Sequence, residues 1–214
     1  MFKRRKPVDD PASVETDTPE THEVAGAPGE GRSGGPWDVE EIDVDDEVDR
    51  VDLGSLLIAP VAERELRLQV DEASQTVQSV LIAGRDGALE LRAFAAPRHG
   101  DLWSEARRQI AAETAQRGGT TAEREGRFGT ELLCQLAVQL PGGKSGMQPS
   151  RVVGVNGPRW LLRGTFVGSP AERPDDAAEW DEVLASVVVN RGAQAMPPGD
   201  ALPLSLPPGA RRNG

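Results

Sequence analysis

Residues 89–118 constrain the fold most, because their hydrophobic period changes from two residues to about 3.6. The first part alternates as a strand with one buried face, formed by Leu89, Leu91 and Ala93. Pro97 ends that pattern, and Asp101 is a suitable N-cap for a helix. Three apolar residues share one face of this helix, namely Trp103, Ala106 and Ile110. The stretch therefore predicts a strand that turns into a helix, which Gly118 and Gly119 end.

Further strand patterns lie on both sides of this helix. Residues 65–71 and 76–83 alternate before it, and residues 128–140, 147–155 and 159–167 alternate after it. Asn156-Gly157 predicts a hairpin turn between the last two strands. The polar run 120–127 is predicted to be a loop. The order of these elements indicates an antiparallel sheet in which neighbouring strands follow each other in sequence.

A second helix is predicted after Pro174, with Asp175 or Asp176 as its cap. Its apolar face consists of Trp180, Val183, Leu184 and Val187. The predicted fold class is therefore α+β, an antiparallel sheet with two packed helices.

The two ends differ from this domain in composition. Residues 1–52 hold 16 acidic and 6 basic residues, so most of the net charge of −11 lies there. We predict a disordered acidic tail over residues 1–50, a domain over 51–192 and an extended, Pro-rich tail over 193–214. Trp37 either folds back onto the domain, which we favour, or docks on a partner. The same two alternatives hold for the C-terminal tail with its alternating Leu202, Leu204 and Leu206.

Composition excludes several classes of function. The net negative charge argues against nucleic acid as a partner, and no apolar run is long enough for a membrane span. The basic start is followed by acidic residues where a signal peptide needs an apolar stretch. The single cysteine, Cys134, cannot form an intrachain disulfide, and its strand position predicts a place in the core. We expect a cytoplasmic protein.

Few residues indicate chemistry. No Cys and His spacing fits a metal site, so neither a metal nor another cofactor is predicted. The segment Gly142-Gly143-Lys144-Ser145 lacks the earlier glycine and the following helix of a phosphate-binding loop, and predicts a turn. His99 lies in the turn before the helix, beside Arg98, and no nucleophile motif accompanies it. We predict no catalytic residue.

The candidate binding residues are mostly arginines near the last strands. They are Arg98, His99, Arg151, Arg159 and Arg163. Arg159 and Arg163 flank Leu161 on the strand face opposite Trp160. Such a face is able to bind an acidic peptide, a small anion or the chain's own acidic residues 38–52; the alternative is a set of structural ion pairs.

Several short motifs resemble those of an uncharacterised actinobacterial family, domain of unknown function 3710. They are Gly35-Pro36-Trp37-Asp38, Val51-Asp52-Leu53-Gly54-Ser55, Phe94-Ala95-Ala96-Pro97, Gly129-Thr130-Glu131-Leu132, residues 157–164 and Met196-Pro197-Pro198. The resemblance spans residues 35–208 and implies an actinobacterial cytoplasmic protein without assigned activity. The order of elements is also similar, more distantly, to the Mog1/PsbP-like α/β/α sandwich, whose members are mostly binding or assembly factors.

The leading functional hypothesis is a non-enzymatic protein-interaction or accessory module, whose partner is another protein. The alternative is a protein that binds a small molecule or anion, or a divergent hydrolase, through the arginine-rich strand face. A concave, partly apolar pocket bordered by one of the candidate residues favours the alternative. A flat sheet face covered by a tail favours the interaction module.

Overall fold

A computed structural model describes residues 34–43, 46–140 and 144–207. Over these residues the fold is α+β with mostly antiparallel strands, which confirms the predicted class. The strands are β1 (Trp37–Asp38), β2 (Val51–Asp52), β3 (Leu56–Ile58), β4 (Glu65–Val70), β5 (Val77–Ala83), β6 (Gly87–Ala95), β7 (Thr120–Gly126), β8 (Gly129–Leu140), β9 (Lys144–Gly157), β10 (Trp160–Gly168) and β11 (Val188–Val189). The helices are α1 (Leu102–Gln116), α2 (Ser169–Glu172) and α3 (Ala178–Ala185), with 3-10 turns at Val39–Glu41 and Pro174–Asp176.

Two sheets organise the described residues. The larger sheet has seven antiparallel strands in the order β4-β5-β6-β10-β9-β8-β7. The smaller sheet has the order β1-β11-β3-β2, in which β1 and β11 run parallel. The predicted hairpins β4-β5-β6 and β8-β9-β10 are joined at the centre of the larger sheet, where β6 lies beside β10.

Each face of the larger sheet carries a different apolar layer. On one face, Trp103 of α1 packs on Leu132, Cys134 and Val152. On the other face, α3 contributes Trp180, Val183 and Leu184 of the predicted stripe to the main core, whereas Val187 lies beyond the end of the helix and is also in that core. Leu89, Leu162 and Phe166 of the sheet are fully buried on this face. The alternation within β6 and β10 thus supplies side chains to two separate layers.

Local chemistry explains the position of α1. The Asp101 carboxylate accepts the backbone N–H of Ser104 at 3.0 Å, as predicted for its N-cap. It also accepts the side-chain amide of Asn156 at 2.7 Å, which ties the helix to β9. The ring of Trp103 lies directly over Gly154, where an added Cβ would come within 2.2 Å of it. A glycine is therefore required where the helix meets the sheet.

Three local predictions are wrong. Residues 120–127 are not a loop, because β7 pairs with β8 from Thr120 to Gly126 as a charged edge strand. Asn156 and Gly157 continue β9, and the hairpin turn falls on the next two residues, where Arg159 has a φ of 60°. Neither Asp175 nor Asp176 caps α3, whose N-cap is Ala177 without a side-chain hydrogen bond. The two aspartates belong to the 3-10 turn before it.

Residues on both sides of the segment 51–192 also form hydrogen bonds with the two sheets. Trp37 donates its backbone N–H to the carbonyl of Val187 at 2.9 Å, so β1 joins the smaller sheet. At the other end, Leu202 is buried and donates its N–H to the Ala93 carbonyl at 2.9 Å. Residues 1–33, most of the predicted N-terminal tail, and residues 208–214 lie outside the described residues, as do residues 141–143 of the turn predicted over 141–146. Residues 144–146 of that predicted turn already belong to β9.

Candidate functional site

The candidate arginines lie on opposite faces of the larger sheet. Arg151 shares its face of β9 with Val153 and Val155, which belong to the main core. Arg163 shares its face of β10 with Leu161, which belongs to the α1 layer. The structure therefore separates residues that the sequence placed in one group.

Arg151 is buried and lies within ion-pair distance of two carboxylates. It is 1% exposed, and its Nη2 lies 2.8 Å from Oε2 of Glu131, which is also buried. Its Nη1 lies 2.9 Å from Oδ1 of Asp181 on α3. Burial alone lowers the pKa of Arg151, but the two carboxylates outweigh this and hold the pKa above its usual value. Arg124 extends the network from Glu131 to Asp175. Arg151 is therefore placed to join α3 to the sheet, and it offers no surface to a ligand.

The other three candidate residues lie in turns and not in the strands of the sheet. Arg98 and His99 are exposed in the turn before α1. Arg159 lies in the β9-β10 turn, and its carbonyl accepts the Nε–H of Arg191 at 3.1 Å. These three residues are not brought together with Arg163.

Arg163 faces a second arginine across the strand pair. In the β6-β10 register, Arg163 lies directly opposite Arg92, and Leu161 lies opposite Phe94. The guanidinium carbons of Arg163 and Arg92 lie 5.2 and 5.5 Å from the centre of the Phe94 ring. Like charges directly opposite each other destabilise a sheet. The pair therefore costs free energy in the folded protein.

No acidic group compensates this pair at close range. Among the described residues, neither guanidinium forms an ion pair or a hydrogen bond, and the Nε of Arg92 is buried without a hydrogen-bond partner. Burial and the charge of Arg92 lower the pKa of Arg163, and the charges of Glu90 and Glu113 offset this in part. A half-buried pair of cations, one of them with a buried Nε–H that lacks a partner, is a feature that an anionic ligand would stabilise.

The Arg163 side chain borders a groove of about 350 Å³ between α1, β6, β10 and the C-terminal segment, which we call the α1 groove. The apolar part of its lining consists of Phe94, Leu102, Ala106, Ile110, Leu161, Pro198 and Gly199. The polar part consists of Glu105, Gln109, Glu113 and Arg163. Its volume lies within the range of about 300–1,000 Å³ that is typical of small-molecule sites.

The C-terminal segment forms one wall of this groove and is attached to β6 by backbone hydrogen bonds. Gly199 donates its N–H to the Ala95 carbonyl, and Ala95 donates its N–H to the Asp200 carbonyl, both at 2.8 Å. The segment thus runs alongside the end of β6 and leaves the groove open between itself and α1. The groove is consequently a feature of three chain regions that are distant in sequence.

Two acidic residues of the segment 38–52 have partners other than Arg163. The carboxylate of Asp38 is buried and accepts the indole N–H of Trp160 at 2.6 Å. Asp46 pairs with Arg50 at 2.6 Å, within its own segment. These acidic residues are therefore used elsewhere in the fold.

Sequence reasoning missed Phe94, which lines the groove, and Arg92, which lies opposite Arg163 in the strand pair. Both lie on the polar face of β6, which the alternation already indicates. Their significance depends on the pairing of β6 with β10, which are separated by about half the domain in sequence. A search for like charges at matching positions of two strands would have identified the pair only if that pairing were known.

Comparison with family models now identifies the relatives of the chain. The model "Protein of unknown function (DUF3710)" matches residues 35–213. The chain belongs to the DUF3710 family. No curated protein matches it. The match confirms the resemblance inferred from the motifs and assigns no activity, so the function of this DUF3710 protein must be argued from the groove itself.

Two further observations bear on the class of the protein. None of the helices in the described ranges is both long and apolar enough to cross a membrane. Within those same ranges, no three His, Cys, Asp or Glu residues are grouped so as to hold a metal ion.

Proposed function

We propose that this DUF3710 protein is a binding module whose α1 groove takes a singly charged, amphiphilic carboxylate. The observation that supports this most is the half-buried Arg92–Arg163 pair, which lacks an ionic partner among the described residues. A carboxylate bound in the groove beside Arg163 would accept charge-assisted hydrogen bonds from its guanidinium and offset its repulsion from Arg92. The apolar lining beside them would take the hydrocarbon part of the ligand.

The charges of the opposite wall support a single negative charge on the ligand. Glu105 and Glu113 of α1 line the groove across from the sheet. A second anionic group near them would be repelled, which disfavours polyanions such as nucleic acid. The preferred ligand is therefore acidic at one end and apolar along its remaining length.

The groove favours binding over catalysis. Its lining within the described residues includes no histidine, cysteine or hydroxyl side chain. Cys134 lies beneath α1, and burial raises the pKa of its thiol, which lowers its reactivity. His99 is exposed and does not line the groove. These positions support a non-enzymatic role.

Such a carboxylate has two possible sources, a free small molecule or the chain terminus of a partner protein. The second source would make the module the protein-interaction factor of the leading hypothesis. A cytoplasmic location, an actinobacterial origin and a Mog1/PsbP-like sandwich stay predictions. The last is supported by the placement of α1 and α3 on opposite faces of one sheet.

Two probes of this chemistry test the proposal. Hexanoate represents the free ligand, with hexanol as its uncharged control. A short apolar peptide with a free α-carboxylate represents the protein ligand, with its C-terminal amide as control. Binding is followed by backbone amide shifts of Phe94 and Leu161 in ¹⁵N–¹H spectra.

We expect at least one acid to bind in preference to its uncharged control. Arg163→Met should weaken that binding by about 10- to 100-fold, since it removes a charge-assisted hydrogen-bond donor. Arg98→Met, which changes an exposed arginine outside the groove, should leave it unchanged. Equal binding of acids and controls, or equal loss in both variants, would contradict the proposal.

A further inference from the structure

The α1 groove follows one face of its helix over most of the helix length. The residues of α1 that line it recur every three or four positions, from Leu102 to Glu113. At about 1.5 Å per residue this face is about 16 Å long. A carboxylate beside Arg163 would fill only a small part of that length. The rest of the groove is available to the remainder of the ligand.

The direction of α1 follows from its contacts with β9. Asn156 of β9 binds the cap of α1 and lies opposite Leu161 in the register of β9 with β10. Gly154, which lies under the ring of Trp103, is opposite Arg163 in the same register. The helix therefore begins level with Leu161 and runs toward the level of Arg163.

The end of the groove near the last turn of α1 is polar. Arg163 is the only cation that lines the groove within the described ranges of the chain. Burial and the charge of Arg92 lower the pKa of Arg163, and the charge of Glu113, in that last turn, acts against this. Arg163 and Glu113 therefore share this end of the groove.

The opposite end of the groove is apolar and is bordered by the C-terminal segment. Phe94 and Leu102 both pack against the apolar layer under α1, which includes Leu161. Gly199 donates its N–H to the carbonyl of Ala95, the residue after Phe94, so the C-terminal segment passes this end. A chain that extends from Arg163 along α1 therefore reaches the C-terminal segment.

The lining between the two ends favours a hydrocarbon over a peptide. Ala106, Ile110 and Leu161 border the middle of the groove. Each residue of a bound peptide would bring a backbone N–H and C=O into this space, and burying such groups without partners costs free energy. Besides Arg163, the side-chain hydrogen-bond donor that lines the described groove is Gln109. A methylene chain needs no such partner.

We infer that the ligand of the α1 groove is a free, straight-chain monocarboxylic acid of about ten to twelve carbons, with its carboxylate at Arg163 and its methyl end at the C-terminal segment. The inference rests on the proposed function and adds the length and direction of the ligand. The length follows from the helix face of about 16 Å, since an extended chain advances about 1.3 Å per carbon. Ala106 has the smallest side chain of the α1 wall and leaves the space in which the chain lies.

Straight-chain acids from butanoate to tetradecanoate test the length. Binding to the full chain is measured by titration calorimetry, below the concentration at which each acid forms micelles. Each added CH₂ should raise the affinity about fourfold up to the expected length and add little beyond it. If no acid of the series binds, the proposed function fails together with this inference. If the acids bind equally at every length, or the gain continues unchanged to tetradecanoate, only the inference is overturned.

Decanedioate tests the direction of the ligand. Its second carboxylate would lie at the apolar end, so it should bind at least about tenfold more weakly than decanoate. Decanedioate that binds as tightly as decanoate would contradict the assignment of an apolar end.

Two variants of α1 locate the hydrocarbon. Ala106 lies about 10 Å from Glu113 along the helix. Ala106→Leu should therefore weaken the binding of decanoate about tenfold and that of butanoate less than about threefold. Ala112→Leu makes the same change at an exposed position of α1 outside the groove and should leave both affinities unchanged. Equal effects of the two variants, or equal effects of Ala106→Leu on both acids, would overturn the inference. Circular dichroism of each variant checks that α1 is intact.

Discussion

Arg151 and Arg163 lie on adjacent strands of one sheet, but the charged groups that surround them have opposite signs. Arg151 faces the main core and has two carboxylates within 2.9 Å. Arg163 faces the α1 groove and has a second arginine as its cross-strand neighbour. A buried cation with its partners inside the chain is explained by the folded structure alone. A half-buried cation whose cross-strand neighbour is another cation points to something outside the described chain, and this difference is why we assign binding to one arginine and not to the other.

The largest expected effect is on the side of Arg151. Arg151→Met leaves Glu131 and Asp181 without their buried cation, and we expect a loss of about 3–5 kcal/mol in the free energy of unfolding. Urea denaturation measures it. The double variant Glu131→Gln with Arg151→Met should lose less, since it no longer buries that carboxylate. If the free energy of unfolding of Arg151→Met lies within about 1 kcal/mol of the wild-type value, the contrast between Arg151 and Arg163 is contradicted.

The next effect concerns the helix that forms one wall of the α1 groove. Asp101→Ala removes the cap of α1 and should cost about 0.5–2 kcal/mol at neutral pH. Asp176→Ala is the matched control, because the sequence predicts a cap there and the structure shows none; its cost should stay within about 0.5 kcal/mol. Equal losses in both variants would contradict this assignment of the caps.

The pH dependence of the Asp101 effect follows from its pKa. Partial burial alone raises that pKa, but hydrogen bonds from Ser104 and Asn156 outweigh it and lower the pKa below the usual 3.8. The cap therefore stabilises the fold fully above pH values near 3.8 and loses this contribution as pH falls through the lowered pKa. The difference between wild type and Asp101→Ala should shrink over that interval.

The smallest effect has the opposite sign. Arg163→Met removes a desolvated charge and its repulsion from Arg92, so without ligand we expect a gain of about 0.2–1 kcal/mol. Thermal and urea denaturation measure it, with Arg98→Met as the control that should change nothing. If Arg163→Met lowers the free energy of unfolding as much as Arg151→Met does, Arg163 also has a structural role and the proposed contrast between the two arginines is wrong.

By itself, the sequence determined the local elements. The alternation in β4, β5, β6, β8 and β10 and the cap at Asp101 follow from side-chain period and from a carboxylate beside free backbone N–H groups. It also identified the DUF3710 family through short motifs and placed Cys134 in the core. These features depend on residues close together in the chain, so the local sequence pattern is enough to predict them.

Only the tertiary structure decided which arginines meet. β7 is a strand because β8 pairs with it, although its own residues are polar. Arg151 and Arg163 diverge because they point to opposite faces of adjacent strands, and Arg92 joins Arg163 because β6 pairs with β10. Burial and charge are set by the groups that surround a side chain in space. For Arg151 and Arg163 the surrounding groups come from distant parts of the sequence, so the local pattern around each arginine cannot predict them.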